Sequence, residues 1–431
     1  MEAVPDIFFN TYGSGSTTKI LRGIYLMKSL RLVTTILLVL VMLVGLNAAV
    51  FAQEVELEFF QNKREAVETF DRLIERFEEE NPNISIEQNH VPDAETVLRS
   101  RLARNNIPDI MGLGGNFTYG QVADAGILKN FNEAAYLNNT QTAYRKMLQD
   151  LHEGSSNYGV PFTANANTVL YNRDKFEELG LEIPETWDEF IEVSETIKEN
   201  DGTPFYLTFK DAWTIMVPWN SLAANLHGEN FIEERTENET TFKSRYEEVS
   251  EKLYQLLDYG QDDIFGFGYD QGNQAFANGE SFMYIQGVWA INPILESNPD
   301  LNLGAFAMPV MNNADENMLV SGVDTVLTMN KNTDHPEASE KFIQFLLEEE
   351  NAQFYIDEQM TFSAVENVFQ EDPTVVDLKE YFETGNIAPF PDHYYPSGMQ
   401  VPNLIQGFLH DGNVEEFLEK LDSEWNKVQS R

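Results

Sequence analysis

The sequence predicts an α/β protein built from two domains. Two observations set the class. Segments with apolar residues at every second position alternate with segments whose apolar residues recur at helical spacing, and this pattern restarts near residue 160. A third sets the domain count. Of the 431 residues, 1–52 read as a leader, and the 379 that remain exceed what a single hydrophobic core holds.

Taken in order, Val55, Leu57 and Phe59 alternate with Glu54, Glu56 and Glu58, the pattern of a half-buried strand. Ala66, Phe70, Leu73, Ile74 and Phe77 share one helical face, and Asn81-Pro82 ends that helix. Ile84 and Ile86 mark a second strand, residues 94–105 a helix, and Asp109-Ile110-Met111-Gly112-Leu113 a short apolar strand. Strands alternating with helices imply a mostly parallel sheet covered on both faces. In the second half Val169-Leu170-Tyr171 reads as a strand, and a short helix from Asp174 ends at Gly180. Thr186-Trp187-Asp188-Glu189 has capping-box spacing and opens a helix to about Glu199. Tyr246, Val249, Leu253, Leu256 and Leu257 form a helical stripe, while Phe282–Ile285 and Val323–Met329 read as strands. Pro336 suits the first turn of a helix carrying Ala338, Phe342, Phe345 and Leu346. The last helix shows Val414, Phe417, Leu418, Leu421, Trp425 and Val428 on one face. There is no internal repeat, low-complexity tract or long linker.

The leader has the parts of an export signal. Lys28 and Arg31 precede an apolar run from Leu32 to Leu46, and Val50 and Ala52 are small enough for the −3 and −1 sites of a signal peptidase, so cleavage is expected after Ala52. An uncleaved transmembrane anchor is the alternative, since Leu32 to Ala52 is just long enough to span a bilayer. Residues 1–26 fit no signal peptide; Met27 is the expected start. Removing the leader takes away four basic and two acidic residues and leaves 24 Lys and Arg against 69 Asp and Glu, a net charge of −45. Such self-repulsion destabilises a compact state at low salt. The acidic residues are spread along the whole chain, which reads as adaptation to a salty habitat. The same charge excludes nucleic-acid binding, which needs Lys and Arg against phosphate. Cysteine is absent, so no disulfide, thiolate metal site or lipid-anchored amino terminus is possible, and a periplasmic location is expected.

Tyr158-Gly159-Val160-Pro161-Phe162, then Val169-Leu170-Tyr171-Asn172-Arg173-Asp174-Lys175-Phe176-Glu177-Glu178-Leu179-Gly180, then Pro184-Glu185-Thr186-Trp187-Asp188-Glu189-Phe190 resemble a signature of the family 1 extracellular solute-binding proteins. Asn81-Pro82-Asn83-Ile84, Pro108-Asp109-Ile110, Ala277-Asn278-Gly279-Glu280 leading to Gln286-Gly287-Val288-Trp289, and His335-Pro336-Glu337-Ala338-Ser339 follow in the family's order. The resemblance covers nearly all of the chain after the leader. It implies the two-lobed type II periplasmic binding protein fold, with lobes of about 53–163 plus 320–367 and 164–319 plus 368–431. A sugar would bind in the cleft between the lobes, and a membrane permease driven by an ATPase would receive it. A monomer with no cofactor is expected.

Sugar hydroxyls need amides and carboxylates, and sugar C–H faces stack on aromatic rings. Trp187 and Trp425, on apolar helical faces, are assigned to the core. Trp289, after Gly287, stands where the family places a stacking tryptophan. Trp213 and Trp219 flank Val217-Pro218 in a poorly periodic segment that reads as a loop. Gln61, Asn62 and Lys63 follow the first strand at its carboxyl end, where α/β sheets bind ligands; Asn116 occupies a similar position, and Asp109 reads as structural. The resemblance adds Asn165 and Asn167 before the first lobe crossing, Gly322 and Asp324 on the returning strand, and Tyr394 and Tyr395 from the second lobe. No Gly-x-Ser-x-Gly, His-Glu-x-x-His or phosphate-binding glycine loop is present, and the six histidines lack metal-ligand spacing. A binding protein for another polar solute, a secreted polysaccharide hydrolase and a surface adhesin stand as alternatives.

Overall fold

The computed structural model describes residues 54–430, apart from 92–93, 229 and 397. The cleavage site after Ala52, the Met27 start and the apolar run lie outside the described residues.

The strands are β1 (Val55–Gln61), β2 (Ile84–His90), β3 (Ile110–Leu113), β4 (Val160–Asn172), β5 (Met283–Gly287), β6 (Leu303–Phe306), β7 (Leu319–Met329), β8 (Phe362–Ser363) and β9 (Ile387–Ala388). Their order is β2-β1-β3-β7-β4-β5, with β6 and β8 also on β4 and β9 on β7. Among the described strands, β1–β2, β1–β3 and β7–β9 pair in parallel. The other pairs are antiparallel, which corrects the mostly parallel expectation. Local periodicity fixes strand and helix but not direction. Here β7 returns from the second half of the chain and inserts between β3 and β4 in the opposite sense.

The 13-residue β4 is the central element. Its first part, Val160 to Ala166, pairs with β7, and from Asn167 onward it pairs with β5. The strand therefore changes partners between adjacent residues. One buried core draws only on residues from Leu57 to Phe162 and from Leu327 to Val368. Another draws on Val169 to Val310 and on Tyr395 to Trp425.

The local signals act as their chemistry requires. The helix Val67–Glu80 buries Phe70, Leu73, Ile74 and Phe77 and ends at Asn81. Gly180 closes the helix Arg173–Leu179 at φ 64°, a left-handed conformation that costs glycine little. Thr186 and Glu189 form the reciprocal capping box, and Pro336 opens the helix Pro336–Leu346. Asp109 is structural: its Oδ2 accepts from the Glu58 amide at 2.9 Å. Trp187 and Trp425 are both buried.

Candidate ligand-binding site

Two adjoining cavities, of about 960 and 280 Å³, lie around the point where β4 changes partners. They share Asn165, Trp213, Trp289 and Asp324, so they form one cleft with a larger and a smaller chamber.

One wall is polar. Lys63, on the turn after β1, forms an ion pair with Asp324 of β7. Asn165 donates from Nδ2 to Asp324 Oδ1 at 2.5 Å, and the Thr361 hydroxyl lies 2.9 Å from Asn165 Oδ1. In β7, Asp324 alone is not fully buried. Burial pulls the Lys63 pKa down, but the carboxylates of Asp324 and Glu65 outweigh it and hold the ammonium above its ordinary range. Gln61 is buried beneath this wall. Its amide donates to Gln88 Oε1 at 2.8 Å and its oxygen accepts from the Lys63 backbone N–H. It shapes the turn that delivers Lys63 and lines neither chamber.

A second part of the lining is aromatic. The rings of Trp213 and Tyr269 lie 5.1 Å apart at 56°, and the Tyr269 hydroxyl donates to the Trp289 carbonyl at 3.4 Å. Burial pushes the Tyr269 pKa up to about 12, so the phenol stays protonated as a donor. Trp213 is 43 % exposed, one of few large apolar side chains so open to solvent. Gly287 is required at the end of β5, because a Cβ there would sit 2.1 Å from the Trp289 ring. Gly322 likewise leaves room for Phe390, whose ring a Cβ would meet at 2.5 Å.

The smaller chamber adds Asn167, Asn220, Phe390, Asp392 and His393. Asn220 donates from Nδ2 to Asp392 Oδ1 at 2.9 Å, and the rings of Phe390 and His393 lie 4.9 Å apart. Across both chambers six carboxylate side chains stand against Lys63, Arg64 and Arg72, so the cleft disfavours anions. Among the described residues no group of three His, Cys, Asp or Glu could hold a metal ion.

Asn165, Asn167, Lys63, Trp213, Trp289, Gly322 and Asp324 thus converge on the cleft. Trp219 does not. The segment is a helix, Met216–Leu226, with Pro218 tolerated in its first turn, and not a loop. Its pitch turns Trp219 into the core, fully buried against Tyr246 at 5.3 Å, with Nε1 donating to the Tyr395 hydroxyl at 3.3 Å. Tyr395 is buried in the same cluster, and its hydroxyl lies 2.9 Å from that of Tyr246. Tyr394 lines neither chamber. Asn62 and Asn116 line a separate void of about 10 Å³, and Asn116 caps the helix Phe117–Asp124 by accepting from the Thr118 N–H at 3.0 Å. Sequence reasoning missed Tyr269, Thr361, Asn220, Asp392 and His393. The last two lie just upstream of the chosen tyrosines, and the amide-and-carboxylate rule could have found Asp392.

The sequence matches the bacterial extracellular solute-binding protein profile over residues 62–353. The chain belongs to this family. It is 32 % identical over 330 residues to the multiple sugar-binding protein of Streptococcus mutans, covering 74 % of this chain and 77 % of that one. Its fold superposes on ligand-free RafE of Streptococcus pneumoniae with a TM-score of 0.78 at 28 % identity, over 88 % of this chain and 98 % of that one. RafE in complex with raffinose superposes at 0.76, again at 28 % identity, over 87 % and 100 %. The architecture is the two-lobed solute-binding fold.

Proposed function

We propose that this protein captures a neutral oligosaccharide in the cleft and delivers it, by lobe closure, to an ATP-binding-cassette importer. The observation that carries this is the joining of aromatic rings and polar groups in one cleft. Trp213, Tyr269 and Trp289 offer ring faces to sugar C–H groups, while Lys63, Asp324, Asn165 and Thr361 offer planar polar groups to the hydroxyls. Two joined chambers suit a ligand of more than one ring. The sugar-binding names of the S. mutans relative and the raffinose complex of RafE support the same class.

The lobes are assigned as 53–163 plus 320–367 and 164–319 plus 368–431; two of the three cores draw on one lobe each, and the third joins residues of both. The mature protein is assigned as exported after cleavage at Ala52, as a monomer, with its acidity serving salt tolerance. The ligand experiment is calorimetric titration with raffinose and stachyose at high salt, alongside an amino acid and a uronic-acid oligosaccharide. Saturable binding of a neutral sugar is expected. Binding of the amino acid alone, or hydrolysis of raffinose by purified protein, overturns the assignment. Amino-terminal sequencing of exported protein should begin at Gln53; a start upstream of it identifies an anchor.

A further inference from the structure

Behind the aromatic wall lies a group of polar atoms with no assigned role. Asn273 is 2 % exposed, Gln286 1 % and Tyr284 fully buried. Both carboxamide atoms of Asn273, both of Gln286 and the Tyr284 hydroxyl lack hydrogen-bond partners. The Asn273 carboxamide does lie beside the Tyr269 hydroxyl, and the Thr208 hydroxyl and the Gln286 carboxamide lie beside that of Tyr284, close enough to moderate the upward pull of burial on both phenols. None of these reaches hydrogen-bond geometry. Gly272 packs closely against this group: a Cβ there would stand 2.1 Å from Thr208 Cγ2 and 2.8 Å from the Tyr284 oxygen.

Buried polar groups are almost always satisfied, by protein or by ordered water. A buried water typically makes about three hydrogen bonds to such groups. Each orphaned carboxamide shares an element with a cleft aromatic. Asn273 lies one turn beyond Tyr269 on the helix Tyr269–Ala277, and Gln286 belongs to β5, which delivers Trp289. We propose that Asn273, Gln286 and Tyr284 hold ordered water behind the wall, and that this water positions Tyr269 and Trp289 for the sugar. They are positioning residues and touch no ligand. Their role rests on the reading of the aromatic wall as a sugar platform.

Two measurements test this. A high-resolution crystal structure of the exported chain should show water within hydrogen-bond distance of both carboxamides, whatever the ligand. Dry density there, or direct pairing of the two amides, overturns the hydration site. Gln286→Leu and Asn273→Leu should weaken raffinose binding at least about fivefold while changing Tm little, because each exchanges water-mediated hydrogen bonds for buried apolar contact. Unchanged Kd in both variants, or a Kd that rises only as Tm falls, overturns the positioning role. Trp289→Ala separates the two readings. If it leaves raffinose affinity intact, the platform itself is wrong. If it abolishes binding and the leucine variants do not, only the water's role fails. Should raffinose not bind the unaltered protein, the sugar assignment fails and the crystallographic result still decides the hydration site.

Discussion

Trp213→Ala tests the aromatic wall with little collateral damage. The indole is already 43 % exposed, so its removal should change stability by about 1 kcal/mol or less. A tryptophan presents roughly 250 Å², which leaves about 100 Å² open at this exposure. A pyranose face covering half of that removes about 50 Å² from water, worth about 1.3 kcal/mol at 25 cal/mol per Å². The specific ring contact adds about 0.5–1.5 kcal/mol. The sum, about 2–3 kcal/mol, corresponds to a Kd roughly 30- to 150-fold weaker. Calorimetric titration with raffinose reads the Kd, and thermal unfolding without ligand reads stability. Trp213→Phe should fall between the two proteins. An alanine variant that binds raffinose as tightly as the unaltered protein, with Tm intact, refutes the stacking role.

Trp219→Ala should behave oppositely. Deleting a fully buried indole costs about 3–5 kcal/mol of stability, read by denaturant unfolding, while the molecules that remain folded keep their sugar affinity. Lys63→Met leaves Asp324 without its cation and should weaken binding by roughly tenfold, again by calorimetry. Glu58 carries a pH dependence. Its carboxylate receives Arg101 at 2.5 and 2.6 Å, and that hydrogen bonding, opposed by burial, holds its pKa below the ordinary 4.5. The contribution is therefore present above pH 4.5 and lost as the pH falls through the folded value, so Glu58→Gln should lower Tm at pH 6 and lower it progressively less as the pH is taken below 4.5. Finally, Tm should climb as sodium chloride is raised from 0.1 to 1 M, because the Debye length shrinks from about 10 to about 3 Å. A flat salt profile would remove self-repulsion as the explanation of the acidity.

The legible parts of this fold are those whose physics is local. Strand alternation, the Thr186 box, Gly180 and the Pro336 start each act within a few residues, and each is found where its sequence indicates. Strand direction and the fate of Trp219 are not local. Trp219 is held by Tyr395, 176 positions away, and nothing between Trp213 and Trp219 reveals which indole faces in. Pro218 also disguised the helix, because a proline in a first turn and a proline in a loop look alike. In the cleft, Lys63, Asn165, Trp289 and Asp324 were legible from strand ends and from the family resemblance. Tyr269 was not, because its importance comes from a ring 56 positions earlier and a carbonyl 20 positions later.

The partner change within β4 also bears on mechanics. A ladder that passes from β7 to β5 between Ala166 and Asn167 has a seam there, where no single neighbouring strand braces both residues. A twist of the backbone at the seam strains the fewest rungs, so the strand can act as an axle while the sheets on either side stay stiff. Asn165 stands on one side of that axle and Asn167 on the other, both lining the smaller chamber. A ligand gripping the two amides would therefore register the angle of the axle directly.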